Sequence, residues 1–151
     1  NLNTEIGSLM TSDPLTVSKT TIMTEVALIF ETQNIHHIPV VSEEMKVLGV
    51  ISHRDYCQLQ HHFSRLGSKV AKEYNDRFFS SLTVKDVMTP NPIILEKTDK
   101  LEKALDLFLE NKFQSIIVVE EDRCTGILST HDLLSHFKKC IQKNETDNIF
   151  C

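Results

Sequence analysis

The sequence predicts a mixed α/β fold of two β-α-β-β-α units, and three observations carry that reading. The chain repeats itself at a fixed register, each copy alternates short β-rich runs with amphipathic helical runs, and a chain of 151 residues buries enough surface to need no staples. Residues Ile6 to Pro14 recur 78 positions later as Val84 to Pro92, pairing Met10 with Met88, Thr11 with Thr89 and Pro14 with Pro92. The same offset aligns Lys19 with Lys97, Phe30 with Phe108, Ile38 with Ile116 and Val41 with Val119. One residue then drops out, and the run Gly49 to Asp55 matches Gly126 to Asp132. A register held this long with a single gap marks a tandem duplication.

Each element follows in order. Pro14 and Pro92 bias their neighbours away from helix, so Asp13 to Val17 and Pro92 to Leu95 read as a turn and a short extended piece. A helix is expected from Thr21 to Asn34, with Ile22, Val26, Ile29 and Phe30 forming one apolar stripe. Its counterpart starts at Asp99, with Leu101, Ala104, Leu105 and Phe108 on one face. Paired strands come next, at Ile38–Val41 with Val47–Ile51, and at Ile116–Val119 with Gly126–Leu128. Final helices are expected from Arg54 and from Thr130 to Lys143. A unit of about fifty residues has too little core to stand alone, so the two copies are expected to pack sheet to sheet, pseudo-symmetrically. The expected organisation is repeat 1 at 4–60, a helical linker at 61–81, repeat 2 at 82–143 and a polar tail at 144–151. In the linker region Tyr56, Leu59, Phe63, Leu66 and Val70 are spaced like heptad positions. That stripe either packs on its own domain or pairs across a homodimer.

Composition removes several functions. Sixteen Lys and Arg against 21 Asp and Glu leave a net charge of −5, which does not supply the cationic footprint of nucleic-acid binding. No apolar run is long enough to span a bilayer and no leader pattern is visible. The four cysteines form no C-x-x-C pair and are expected as free thiols in a reducing, cytoplasmic setting. The adjacent pairs His36-His37 and His61-His62 cannot share one metal ion on a regular element, and His131 and His136 are awkwardly spaced for joint ligation. No nucleophile motif or Gly-rich phosphate loop is present. No metal and no enzyme activity are therefore expected.

What remains is a doubled motif, Gly-h-h-Ser-x-x-Asp, in which h is an apolar strand residue: Gly49, Ser52 and Asp55, then Gly126, Ser129 and Asp132. Ser at an N-cap with Asp three residues on reads first as a capping box. A carboxylate in that place also accepts two hydrogen bonds from a vicinal diol such as ribose, while the hydroxyl and helix amides suit a phosphate.

The Met-Thr-x-x-Pro pair, the strand His36-His37-Ile38-Pro39-Val40-Val41 and both Ser-x-x-Asp ends resemble tandem CBS domains, over residues 4–140. That resemblance implies a regulatory module, often a homodimer, binding an adenosine compound (AMP, ADP, ATP or S-adenosylmethionine) in clefts between the repeats and controlling a partner protein or attached domain. It makes Asp55 and Asp132 the ribose acceptors, with Ser52 and Ser129 beside them. In the first site the base would rest on Leu15, Thr16, Val17, Ile35 and Ile38. In the second, Ile93, Ile94, Leu95, Phe113 and Ile116 are the counterparts. Phosphate donors would be His36 and His37 for the Asp132 site and Gln114 and Ser115 for the Asp55 site, with His53, Arg54 and His131 as further donors. Gln114 and Ser115 offer no ionisable donor, so the Asp132 site, served by His36 and His37, is expected to be the better anion site. The chain departs from the family by lacking Arg or Lys before its strands, which makes a monophosphate or an uncharged adenosine derivative as fitting as a polyphosphate. The alternative is a dimerising interaction scaffold with vestigial nucleotide sites.

Overall fold

The computed structural model describes residues 1–61, 66–111 and 113–147. The chain forms two compact units, one built from Leu15–Pro92 and the other from Asn1–Pro14 together with the chain from Ile93 onward. In chain order the elements are β1 (Thr11–Ser12), α1 (Met23–Thr32), β2 (His37–Val41), β3 (Val47–Ser52), α2 (His53–Gln60), α3 (Ser68–Ser81), α4 (Val84–Val87), β4 (Thr89–Pro90), β5 (Ile94–Glu96), α5 (Leu101–Glu110), β6 (Ser115–Glu120), β7 (Arg123–Ser129) and α6 (Thr130–Asp147). The strand–helix–strand–strand–helix order of both copies is as expected.

In the Leu15–Pro92 unit β2 and β3 form an antiparallel hairpin, β4 pairs with the outer side of β3, and Val17 runs parallel to Val40. The other unit repeats the scheme with β6 and β7 as the hairpin, β1 on β7 and β5 parallel to β6. Glu121 and Asp122 join β6 to β7, both at positive φ (51° and 61°), the geometry of a two-residue hairpin turn. Asp13 and Asn91, each before a proline, also adopt positive φ, a region that Asp and Asn tolerate better than most residues.

The segment that opens each copy docks on the sheet of the other copy. Ile6 and Gly7 donate backbone hydrogen bonds to Asp99 and Lys97, while Val84 and Lys85 donate to Thr21 and Lys19. Leu101 donates back to Thr4 as Met23 does to Leu82. Every partner is displaced by the same 78 positions. Compactness thus divides the chain at Pro14 and Pro92, a few residues inside each sequence repeat.

Met23, Val26, Phe30, Ile38, Val40, Ile51, Tyr56 and Phe79 form one core, and Ile6, Leu101, Ala104, Ile116, Val118 and Leu128 anchor the other. Three sequence expectations change. Ile22 lies outside the α1 stripe: it is extended, bridges Thr83 and is 45% exposed, and Met23 takes the core position because the helix starts there, two residues after the expected Thr21. The heptad-like stripe does not follow one helix, since α2 ends at Gln60 and α3 begins after Gly67; Phe63 lies outside the described residues. Tyr56 packs into its own core while Val70 stays 46% exposed. Finally, Cys140 is engaged in a disulfide, whereas Cys57 and Cys124 are free thiols.

The two motif glycines have a steric cause. A Cβ on Gly49 would lie 2.7 Å from Met88 Sδ and 2.8 Å from the Thr89 carbonyl oxygen, and one on Gly126 would collide with Met10 Sδ. The Met-Thr segment therefore seats its methionine where the strand has no side chain. Gly49→Ala is expected to cost about 1–3 kcal/mol, because a backbone carbonyl must move, and Gly126→Ala less, because a flexible thioether gives way. Urea unfolding of both variants checks that order.

Candidate functional site

Each unit presents one Ser-x-x-Asp end. In the Leu15–Pro92 unit β3 finishes at Ser52, the N-cap of α2. Asp55 N–H donates to Ser52 Oγ at 3.1 Å, and Ser52 N–H donates to Asp55 Oδ2 at 3.3 Å. At the other end Asp132 N–H donates to Ser129 Oγ at 3.1 Å and Ser129 N–H to Asp132 Oδ2 at 2.8 Å. Both motifs are therefore complete capping boxes, which uses one carboxylate oxygen and leaves the second for another partner. Asp55 Oδ1 has no hydrogen-bond donor among the described residues. Asp132 Oδ1 accepts a long bond, 3.5 Å, from Thr11 Oγ1 on β1.

One backbone bond ties each helix start to the residue entering the first hairpin strand. His53 N–H donates to the His36 carbonyl at 2.7 Å and Thr130 N–H to the Gln114 carbonyl at 3.1 Å. In the Leu15–Pro92 unit this gathers a ring cluster: His53 meets Phe30, His36 and Tyr56 edge-on at 5.4–5.8 Å between centroids. His37 follows immediately. Burial, then the charge of His36, hold its imidazole below the ordinary value of 6.5, and Asp55 pulls the other way.

The base-contact candidates divide by burial. Ile38 and Ile116 are wholly buried, and Val17 and Leu95 nearly so, so their side chains belong to the cores. Leu15 and Ile94 are exposed, and Thr16, Ile35, Ile93 and Phe113 are half-buried. Val17 exchanges backbone bonds with β2 at 2.9–3.1 Å, which lays the Leu15–Val17 stretch alongside that strand. Arg54 and His131 are exposed in the first helical turns. His36 and His37, assigned above to the Asp132 site, stand inside their own unit beside the α2 turn that carries Asp55.

Thr11 is the residue that sequence reasoning did not place at a site. Its repetition as Thr89 was visible, but nothing local in the sequence shows that β1 lies beside β7. Among the described residues no cluster of His, Cys, Asp and Glu suits a metal ion, and no helix is long and apolar enough to cross a membrane.

A duplicated strand–helix unit with a capped carboxylate at each strand end defines a tandem module of two matching halves. The CBS domain family model matches residues 6–62 and 84–139, and the chain belongs to that family. It is 32% identical over 127 residues to the inosine-5'-monophosphate dehydrogenase of Methanocaldococcus jannaschii, a match covering 83% of this chain and 22% of that enzyme. The chain thus spans about a fifth of that relative's length. Among solved structures it resembles CBSX2 of Arabidopsis thaliana in complex with AMP, with TM-score 0.69, 27% identity and coverage of 89% of this chain and 96% of the other. It also shares its fold with the CBS domain pair of protein MJ0100 in complex with 5'-methylthioadenosine and S-adenosyl-L-methionine, at TM-score 0.69 and 20% identity, covering 90% and 97%.

The lowered His37 pKa fixes the sign of a pH effect. The unfolded chain takes up the proton near pH 6.5 before the folded one does, so His37 makes stability fall as pH drops below that value, the loss being complete below the folded pKa. His37→Gln is expected to flatten the melting temperature between pH 7 and 5, measured by thermal melts across that range.

Proposed function

We propose that the chain is a non-enzymatic, ligand-sensing module that binds an adenosine compound at its Ser-x-x-Asp ends and conveys occupancy to a partner protein or attached domain, in a cytoplasmic setting. The single observation that supports this most is the carboxylate geometry. Each Asp spends Oδ2 on its own helix cap. Asp55 keeps Oδ1 for the paired hydroxyls of a ribose, and Asp132 Oδ1, engaged among the described residues only by the 3.5 Å bond from Thr11, has a lone pair left for the same use. The structural relative that carries AMP in its complex supports the choice of ligand class. Leu15, Thr16 and Ile35 in one unit, and Ile93, Ile94 and Phe113 in the other, offer the partly exposed apolar surface against which an adenine would lie. Ser52, Ser129, His53, Arg54 and His131 supply donors at the helix starts, with His36 and His37 as ring N–H donors to a phosphate.

Aspartate-to-asparagine variants separate ligand binding from capping, because an Asn side-chain oxygen at the same position still accepts the serine N–H of the capping box. AMP at a hundred times its Kd is expected to stabilise the wild-type chain by about 2.7 kcal/mol. Asp55→Asn and Asp132→Asn should each keep a near-native melting temperature without ligand and lose at least half of the AMP-induced rise. Melting curves with AMP, ADP, ATP and S-adenosylmethionine check this, and asparagine variants that respond like wild type refute the reading.

A second reading, a dimerising scaffold with vestigial nucleotide sites, draws on the exposed apolar residues Leu109, Leu134 and Ile141 of α5 and α6, at 84%, 68% and 60% exposure. Apolar surface of this kind favours self-association. Leu134→Glu is expected to convert a dimer to a monomer in sedimentation velocity while leaving the fold intact.

A further inference from the structure

A cavity lies inside the Leu15–Pro92 unit, lined by none of the Ser-x-x-Asp residues themselves. It measures about 540 Å3 and opens between α1, α2 and α3, a size that suits a small organic molecule. The space exists because α3 packs on α1 where both helices carry alanine, Ala27 and Ala71. Its floor is aromatic. Tyr56 and Phe79 lie tilted with centroids 5.8 Å apart, and Tyr56 stacks on Phe30 at 5.5 Å behind them.

The walls carry mostly one sign of charge. Among the described lining residues Glu25, Glu31 and Asp76 are set against one ammonium, Lys72. Tyr56 Oη donates to Glu31 Oε1 at 2.7 Å. Burial, then that carboxylate, hold the phenol well above its ordinary range, so it stays a donor to Glu31. Asn75, also on the wall, gives its Nδ2 hydrogen to the Gln60 carbonyl at 2.9 Å, and its buried Oδ1 receives no hydrogen bond from the described residues. The charged groups among the described lining residues are thus three carboxylates to one ammonium, around an aromatic floor. That combination suits a protonated amine on a compact apolar or aromatic body, held by the carboxylates and by the ring faces.

From this geometry we infer that the α1–α2–α3 cavity is a binding site for an amphipathic organic ammonium ion, separate from the nucleotide reading above. The 151-residue chain is titrated calorimetrically with phenethylammonium chloride, with 2-phenylethanol as the neutral isostere and phenylacetate as the anion. The ammonium is expected to bind saturably and about tenfold more tightly than the alcohol, and the carboxylate not at all. Glu31→Gln should weaken the ammonium several-fold, and Lys72→Glu, at an exposed position that leaves the fold intact, should strengthen it. Ala71→Phe, which fills the space, should remove binding while an AMP-induced melting shift persists. Equal affinity for alcohol and ammonium overturns the inference, as does an unchanged affinity in Lys72→Glu or no binding of the ammonium. It is equally overturned if the ammonium does not bind and Leu28→Glu, on the cavity rim, splits a dimer, because a second copy of the chain then occupies the site.

Discussion

The seating of each Met-Thr segment against a glycine strand is the contact on which the rest of the molecule depends. β1 pairs with β7 at Thr11–Ile127 and Ser12–Gly126, and β4 pairs with β3 at Gly49–Pro90 and Val50–Thr89. Each pairing covers a strand edge that would otherwise show open backbone groups. Each also fixes the strand whose last residue is the serine N-cap. A side chain at Gly49 or Gly126 would displace the methionine and with it the threonine that follows. Steric fit on one side of the strand therefore sets the position of a carboxylate at its end.

The same residues hold the fold and carry the candidate chemistry. A capping box satisfies two helix donors that would otherwise go unpaired. In doing so it clamps the aspartate in one rotamer with one oxygen turned away from the helix. A ligand then meets a carboxylate already oriented, so little side-chain freedom remains to be lost on binding. The histidines contribute differently. His37 is partly buried and discharged near neutrality, which makes any anion contact through it depend on pH, in contrast to an arginine.

Much of this was legible from residues alone. The 78-position register exposed the repeat because apolar strand and helix positions change slowly when they share a core. The Ser-x-x-Asp ends were readable because capping is local chemistry, complete within four residues. Helix α1 was placed to within two residues at each end, although Ile22 fitted the helical period equally well and only the backbone pairing with Thr83 excludes it. Long-range placement was not legible. Nothing near Thr11 announces that it reaches Asp132, and the glycines read as part of a ligand motif until the methionines were seen against them. The apparent heptads in 56–70 illustrate the opposite error: a correct period laid across a break at Gly67. The α1–α2–α3 cavity was equally hidden, since Ala27 and Ala71 look like ordinary helix formers.

The exchange of opening segments has a consequence for how the chain acquires its structure. Leu15–Pro92 is continuous in sequence, and its pairings span modest loops, so it is complete once that stretch has left the ribosome. The other unit joins Thr11 to Ile127, closing a loop of more than a hundred residues. Loop entropy grows only slowly with length, so this closure costs little stability, but distant pairings form slowly. Within its unit Asn1–Pro14 thus precedes the strand it docks on by most of the chain, and until β7 emerges its strand edge stays open to a neighbouring chain.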